Sequence, residues 1–137
     1  MKVKILEWVV YEKDGWTWKS VEKYNPSWAE IEASIRRLDQ FCFPFVWLKL
    51  ADDDEEGFLN VVGGNGIYAI EGYTEEEGQR RYWNENHSTT RIIKVWLSDQ
   101  GFETEELYVC YDIDIVLKVA RYFAEHGALD PTINWDY

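Results

Sequence analysis

The residues of this chain best equipped for chemistry are carboxylates. Asp52, Asp53, Asp54, Glu55 and Glu56 form an unbroken acidic run, followed by Gly57 and then by the break Gly63-Gly64-Asn65-Gly66. Such a stretch suits a hard-cation loop, a phosphate cradle, or a hairpin with a negative rim. Asp52, Asp54 and Glu56 imitate the opening of an EF-hand loop. The twelfth position, however, needs a bidentate glutamate and holds Gly63, and the flanks read as strands rather than helices. A looser cation site among the acids stays open, since hard cations need several converging oxygens. Gly64-Asn65-Gly66 and Ala69 match the glycine spacing of a dinucleotide fold. That motif needs a helix N-terminus after the glycines, and Ile67-Tyr68-Ala69-Ile70 is strand-like. No Lys-Ser or Lys-Thr follows to make a P-loop. The glycines are therefore assigned to a hairpin bend.

The remaining reactive groups are sparse. His87 and His126 are the only histidines and share no metal-ligand spacing. His87, beside Ser88, is a candidate general base without an identifiable orienting group. His126 falls in the last turn of a helical pattern, where positive charge suits the dipole. Cys42 and Cys110 lie far apart in two different strand-like runs and read as small core hydrophobes rather than a staple. Arg80-Arg81-Tyr82-Trp83 interleaves bases with aromatics, but a nucleic-acid platform needs a broader positive groove. No catalytic constellation, cofactor motif or metal centre emerges.

The elements that must position these groups are legible from periodicity. At 137 residues with 46% apolar content and eight Trp, the chain can bury roughly two thirds of its unfolded surface as one domain, residues 1–137. Asp14-Gly15 marks a tight turn between two strands, and the alternation of Trp16 and Trp18 predicts that one sheet face buries both. Ser27, with Glu30 three residues on, predicts a capped helix from Trp28 that ends near Gln40. Strands follow at "FVWLKLA", "FLNVV", "IYAIEGY", "RIIKVWL" and "ELYVCY". Asp112 caps a second helix, with Val116, Val119, Ala120 and Phe123 on one stripe and Gly127 as its terminator. Trp135 should pack back onto the domain. The expected fold is α+β, an antiparallel sheet of about six or seven strands with two helices packed on one face.

Charge narrows the function classes. The formal net charge is −12, and residues 50 to 79 hold nine acids and no Lys or Arg. From Asp99 to Asp114 there are six acids and again no base. Such a field repels nucleic acid and anionic membranes and attracts cationic surfaces. No run approaches the ~20 apolar residues of a membrane span, and the N-terminus shows no small-residue cleavage site. A cytoplasmic location is the expectation.

Two stretches resemble the Imm1-type immunity proteins of bacterial polymorphic toxin systems. "FLNVVGGNGIYAI", residues 58 to 70, is similar to that family's glycine-turn hairpin, and "VLKVARYFAEHGALDPTINW", residues 116 to 135, to its closing helix and tail. Phe123, Gly127, Pro131 and Trp135 match the family's phenylalanine, glycine, turn proline and near-terminal tryptophan. The likeness spans Trp28 to Trp135; residues 1 to 24 lie outside it. It implies a non-enzymatic cytoplasmic antidote that binds a cognate toxin, often a nucleic-acid deaminase, with no cofactor. Gly63, Gly64 and Gly66 join Phe123, Gly127 and Trp135 as fold residues.

Under that reading the acids acquire a purpose. A toxin acting on nucleic acid presents a basic cleft, and an acidic inhibitor complements it and speeds association toward ~10⁸ M⁻¹s⁻¹ or more. The expected 1:1 contact surface is Asp52 to Glu56 with Glu75, Glu76 and Glu77 as its electrostatic edge. Tyr73, Tyr82 and Trp83, near those loops, are the candidate aromatic anchors. The rival readings are an acidic nucleic-acid mimic that captures several cationic proteins, and a small enzyme built on His87.

Overall fold

β1 (Ile5–Tyr11) and β2 (Trp18–Tyr24) pair antiparallel around the Asp14-Gly15 turn. Only Gly15 takes a positive φ, at +77°. Asp14 instead braces the loop, its carboxylate accepting from the Trp16 N–H at 2.8 Å and from the Thr17 N–H at 2.9 Å. The computed structural model describes residues 1–53, 55–85 and 89–137. Asp54 and the candidate base His87, with Asn86 and Ser88, lie outside them.

Ser27 caps α1 (Trp28–Arg36) as its spacing predicts. Its hydroxyl accepts from the Glu30 N–H at 3.1 Å, and the Glu30 carboxylate accepts from the Ser27 N–H at 3.0 Å. The helix stops at Arg36, short of the expected Gln40. Beyond it the backbone turns to meet the sheet: Asp39 bridges Gly64, and the Gln40 N–H donates to the Gly63 carbonyl at 2.9 Å. Gln40 itself adopts φ +71°, which no helix continues through.

The remaining strands are β3 (Phe45–Lys49), β4 (Gly57–Gly64), β5 (Ile67–Thr74), β6 (Gly78–Tyr82), β7 (Ile92–Trp96), β8 (Phe102–Glu105), β9 (Val109–Cys110) and β10 (Trp135–Asp136). Eight strands form one antiparallel sheet in the order β10-β6-β5-β4-β3-β1-β2, with β9 also pairing β5. β7 and β8 make a separate hairpin. The fold is thus α+β with two helices, as expected, and a wider sheet than the sequence pattern suggests. β6, β8 and β10 are the additions. "ELYVCY" is a single 3₁₀ turn (Glu106–Tyr108) followed by β9. Cys42 lies in the loop before β3 rather than in a strand, half-buried, while Cys110 is buried in β9; both thiols are free.

Each face of the sheet has its own cover. Leu6, Val46, Leu48, Leu59, Val61, Tyr68 and Ile70 point to one side and pack on α1 and on α2 (Ile113–His126). α2 begins at Asp112, whose carboxylate accepts from the Asp114 N–H at 2.9 Å, and ends at Gly127 with φ +65°. On the other side Val62, with Phe45, Ile67 and Ala69, meets Val95, Ile93 and Trp96 of the β7–β8 hairpin. That hairpin covers only part of its face.

Trp16 and Trp18 correct the sequence reading. They are 65% and 54% exposed, not buried on one face. Trp16 sits in the turn outside the strand, and Trp18 lies on β2, an edge strand whose side chains are all exposed except the half-buried Val21. Tyr82 departs in the opposite sense, being 7% exposed. Burial first, and then Cys110, push its hydroxyl up to about 12. Tyr11 is likewise pushed up to about 12, by burial and then by its 2.8 Å hydrogen bond to Asp99. Both groups resist ionising in the fold, so the folded state holds protons that the unfolded chain releases above its ordinary tyrosine value near 10. Their contribution is complete below that value and fades as pH rises through about 12. Urea midpoints should fall steeply across this window, and Tyr11→Phe should flatten the fall. An unchanged profile in that variant would remove Tyr11 from the account.

Candidate functional site

Two acidic loops meet at one end of the sheet. Asp52, Asp53, Glu55 and Glu56 lie in the β3–β4 connection, and Glu75, Glu76 and Glu77 in the β5–β6 turn. The register Gly57↔Thr74 sets the two connections side by side, although the acids are twenty residues apart in the chain. Asp52, Asp53, Glu55, Glu56, Glu75 and Glu76 are exposed. None of them joins an ion pair among the described residues. Lys49, the nearest base in β3, is already taken by Glu7 at 3.2 Å. The negative field reaches the next strands: the Tyr24 hydroxyl is raised by its hydrogen bond to Glu22 and then by the charges of Glu22 and Asp52. Among the described residues no three His, Cys, Asp or Glu side chains converge as a metal-binding group.

The aromatic candidates divide. Tyr73 lies beside the acidic rim, half-buried, its ring stacked on Phe58 with centroids 6.0 Å apart. Phe58 in turn meets Trp47 edge-on at 5.8 Å. Tyr82 and Trp83 are not near the rim. Tyr82 closes the far end of β6, about 13 Å along the strand from the acidic turn, and Trp83 follows it. Trp83 is 39% exposed there, while Tyr82 is core. His126 lies in the last turn of α2 as its position predicts, its ring 4.4 Å from that of Tyr122.

Next to the rim, on the face that the helices do not cover, the register builds a feature absent from the sequence reading. Trp47, Asn60, Glu71 and Arg81 are direct partners across β3, β4, β5 and β6. They form a row that borders a cleft of about 270 Å³ beneath the overhanging β7–β8 hairpin. The Trp47 indole N–H, the Asn60 side-chain oxygen and the Arg81 Nε are buried without a hydrogen-bond partner among the described residues. Each such group left unpaired costs about 1–3 kcal/mol. Asn60, alone between the apolar residues of "FLNVV", was the one signal in the sequence.

No family model, no curated protein and no solved structure matches the chain. No helix among the described residues is long and apolar enough to cross a membrane.

Proposed function

We propose that this protein is a non-enzymatic immunity protein that neutralises a cognate secreted toxin in the cytoplasm. The toxin would be a basic, nucleic-acid-targeting domain of deaminase or nuclease type, bound 1:1 through the cleft with which it grips phosphates. One observation carries this reading: two loops rich in carboxylates, unpaired among the described residues, stand together at the end of the sheet. Seven exposed or half-exposed acids, none in an ion pair among the described residues, form a field that steers a cationic partner and disfavours phosphate-bearing ligands. Tyr73 and Phe58, stacked beside that rim, are placed to supply apolar contact once the charges have aligned the partner. The resemblance of residues 58 to 70 and 116 to 135 to the Imm1-type family supports the same conclusion.

Affinity capture from the native host should return one dominant partner, the C-terminal part of a large secreted protein, at both low and moderate salt. Many basic partners that vanish with salt would favour the nucleic-acid mimic instead. With the partner in hand, reversing Asp52, Asp53, Glu55 and Glu56 to Lys should slow association about 30-fold or more at low salt, with a thermal midpoint close to the parent's. Association that is indifferent to the reversal would move the interface elsewhere.

A further inference from the structure

We infer that the cleft between the open face of the sheet and the β7–β8 hairpin binds a free α-amino acid with an apolar side chain. The inference does not rest on the immunity reading; it comes from which groups the cleft leaves without partners. In cross-strand order the row presents a donor, two acceptors and a donor: the Trp47 indole N–H, the Asn60 oxygen, the Glu71 carboxylate and the Arg81 guanidinium.

Glu71 and Arg81 face each other directly but form no ion pair. Glu71 accepts instead from the Gln79 side-chain amide at 2.7 Å, and the Arg81 guanidinium lies 3.4 Å from the centre of the Tyr108 ring. Neither charge closes an ion pair among the described residues, although Asp136 faces Arg81 from β10, its carboxyl lowered first by the Tyr137 N–H and in part by the Arg81 charge. A zwitterion complements this set. An ammonium carries three donors and suits the Glu71 carboxylate, while a carboxylate suits the Arg81 guanidinium; the Asn60 oxygen is buried behind the cleft wall. Direct cross-strand neighbours sit only about 5 Å apart at Cβ, so the ligand's two charges must be close together, as they are in an α-amino acid.

The rest of the cleft selects the side chain. Its floor is Val62 and Ala69, and Phe45, Trp96 and Phe102 stand around it. These groups reward an aliphatic or aromatic side chain and offer a second charge nothing. The volume of about 270 Å³ is small beside the roughly 300–1,000 Å³ of sites for drug-sized ligands, which suits one residue. A nucleotide is disfavoured, because its phosphates would enter the field of the nearby acids.

The test follows the Trp47 indole N–H in an ¹⁵N-labelled sample, its resonance assigned with Trp47→Phe, as L-phenylalanine or L-leucine is added. At least one of them should give a saturating shift below about 10 mM. Phenethylamine, 3-phenylpropanoate and N-acetyl-L-phenylalanine amide each lack one or both charges and should bind about ten-fold more weakly or worse. Glu71→Gln and Arg81→Gln should each weaken L-phenylalanine by a similar factor, with the remaining amide spectrum reporting an intact fold. No shift with either amino acid overturns the inference. Equal binding of the blocked amide also overturns it, making the cleft a pocket for a side chain of a bound protein. Equal binding of phenethylamine reduces it to an amine site, and overturns it too.

Discussion

Gly64→Ala is expected to lower the unfolding free energy by about 4 kcal/mol, seen as a lower urea midpoint with an unchanged slope. The cost has two sources. Gly64 adopts φ +142°, a backbone region that side chains avoid. A Cβ there would also stand 2.5 Å from the Leu38 carbonyl and the Asp39 nitrogen, which are backbone and cannot swing away. The chain leaving α1 is held against β4 at this point by the Asp39–Gly64 bridge, so relief would require separating helix from sheet. Gly66→Ala is the control. It has φ +84° in the turn, but its added carbon would meet nothing within 4 Å. Only the conformational cost of about 1–2 kcal/mol remains. Equal losses in the two variants would show that close approach is not what Gly64 is for.

The same glycines show what sequence can and cannot convey. Gly63-Gly64-Asn65-Gly66 was readable as a hairpin bend, and Asn65 and Gly66, at φ +54° and +84°, make a two-residue turn between β4 and β5. Gly63 and Gly64 lie inside β4; a Cβ on Gly63 would meet Ile67 and Tyr68 of the same hairpin, whereas Gly64 makes room for Leu38 and Asp39, a neighbour distant in the chain. Nothing local announces that neighbour. α1 and α2 were legible because cap and stripe agree within each segment, and Gly127 marked the end of α2; the end of α1 at Arg36 was not legible. β6, "GQRRY", was not: it has no apolar alternation and is a strand because β5 and β10 pair with it. Trp16 and Trp18 mark the complementary failure. Alternation says which side chains share a face, and it is silent on whether anything covers that face.

The candidate sites divide along the same line. Both acidic runs were plain in the sequence, but their meeting depends on the register Gly57↔Thr74. Trp83 seemed close to the second run because it is close in number; β6 carries it to the opposite end. The cleft lay further out of reach. Its row draws one residue from each of four strands, at positions 47, 60, 71 and 81, so only the pairing of all four reveals it.

Phe123→Ala should cost about 3–5 kcal/mol, the range for truncating a large buried aromatic. Phe123 is fully buried in the core that α2 shares with the sheet, where Val116, Val119, Ala120 and Ala124 complete the stripe. Arg121, two residues away, is the matched control. It is exposed, pairs with Glu125 at 3.0 Å and lies 5.4 Å from the Trp28 ring centre, and Arg121→Ala should cost no more than about 1 kcal/mol. The comparison also separates folding from recognition. Phe123 touches no surface that a partner could reach, so Phe123→Ala should weaken partner binding only through its unfolded fraction. An excluded osmolyte such as sucrose should then restore binding together with the fold. The charge-reversed rim, folded from the outset, should gain nothing from sucrose. Rescue of both variants, or of neither, would mean that the acidic rim and the core are not separable in function, and the rim would lose its standing as the recognition edge.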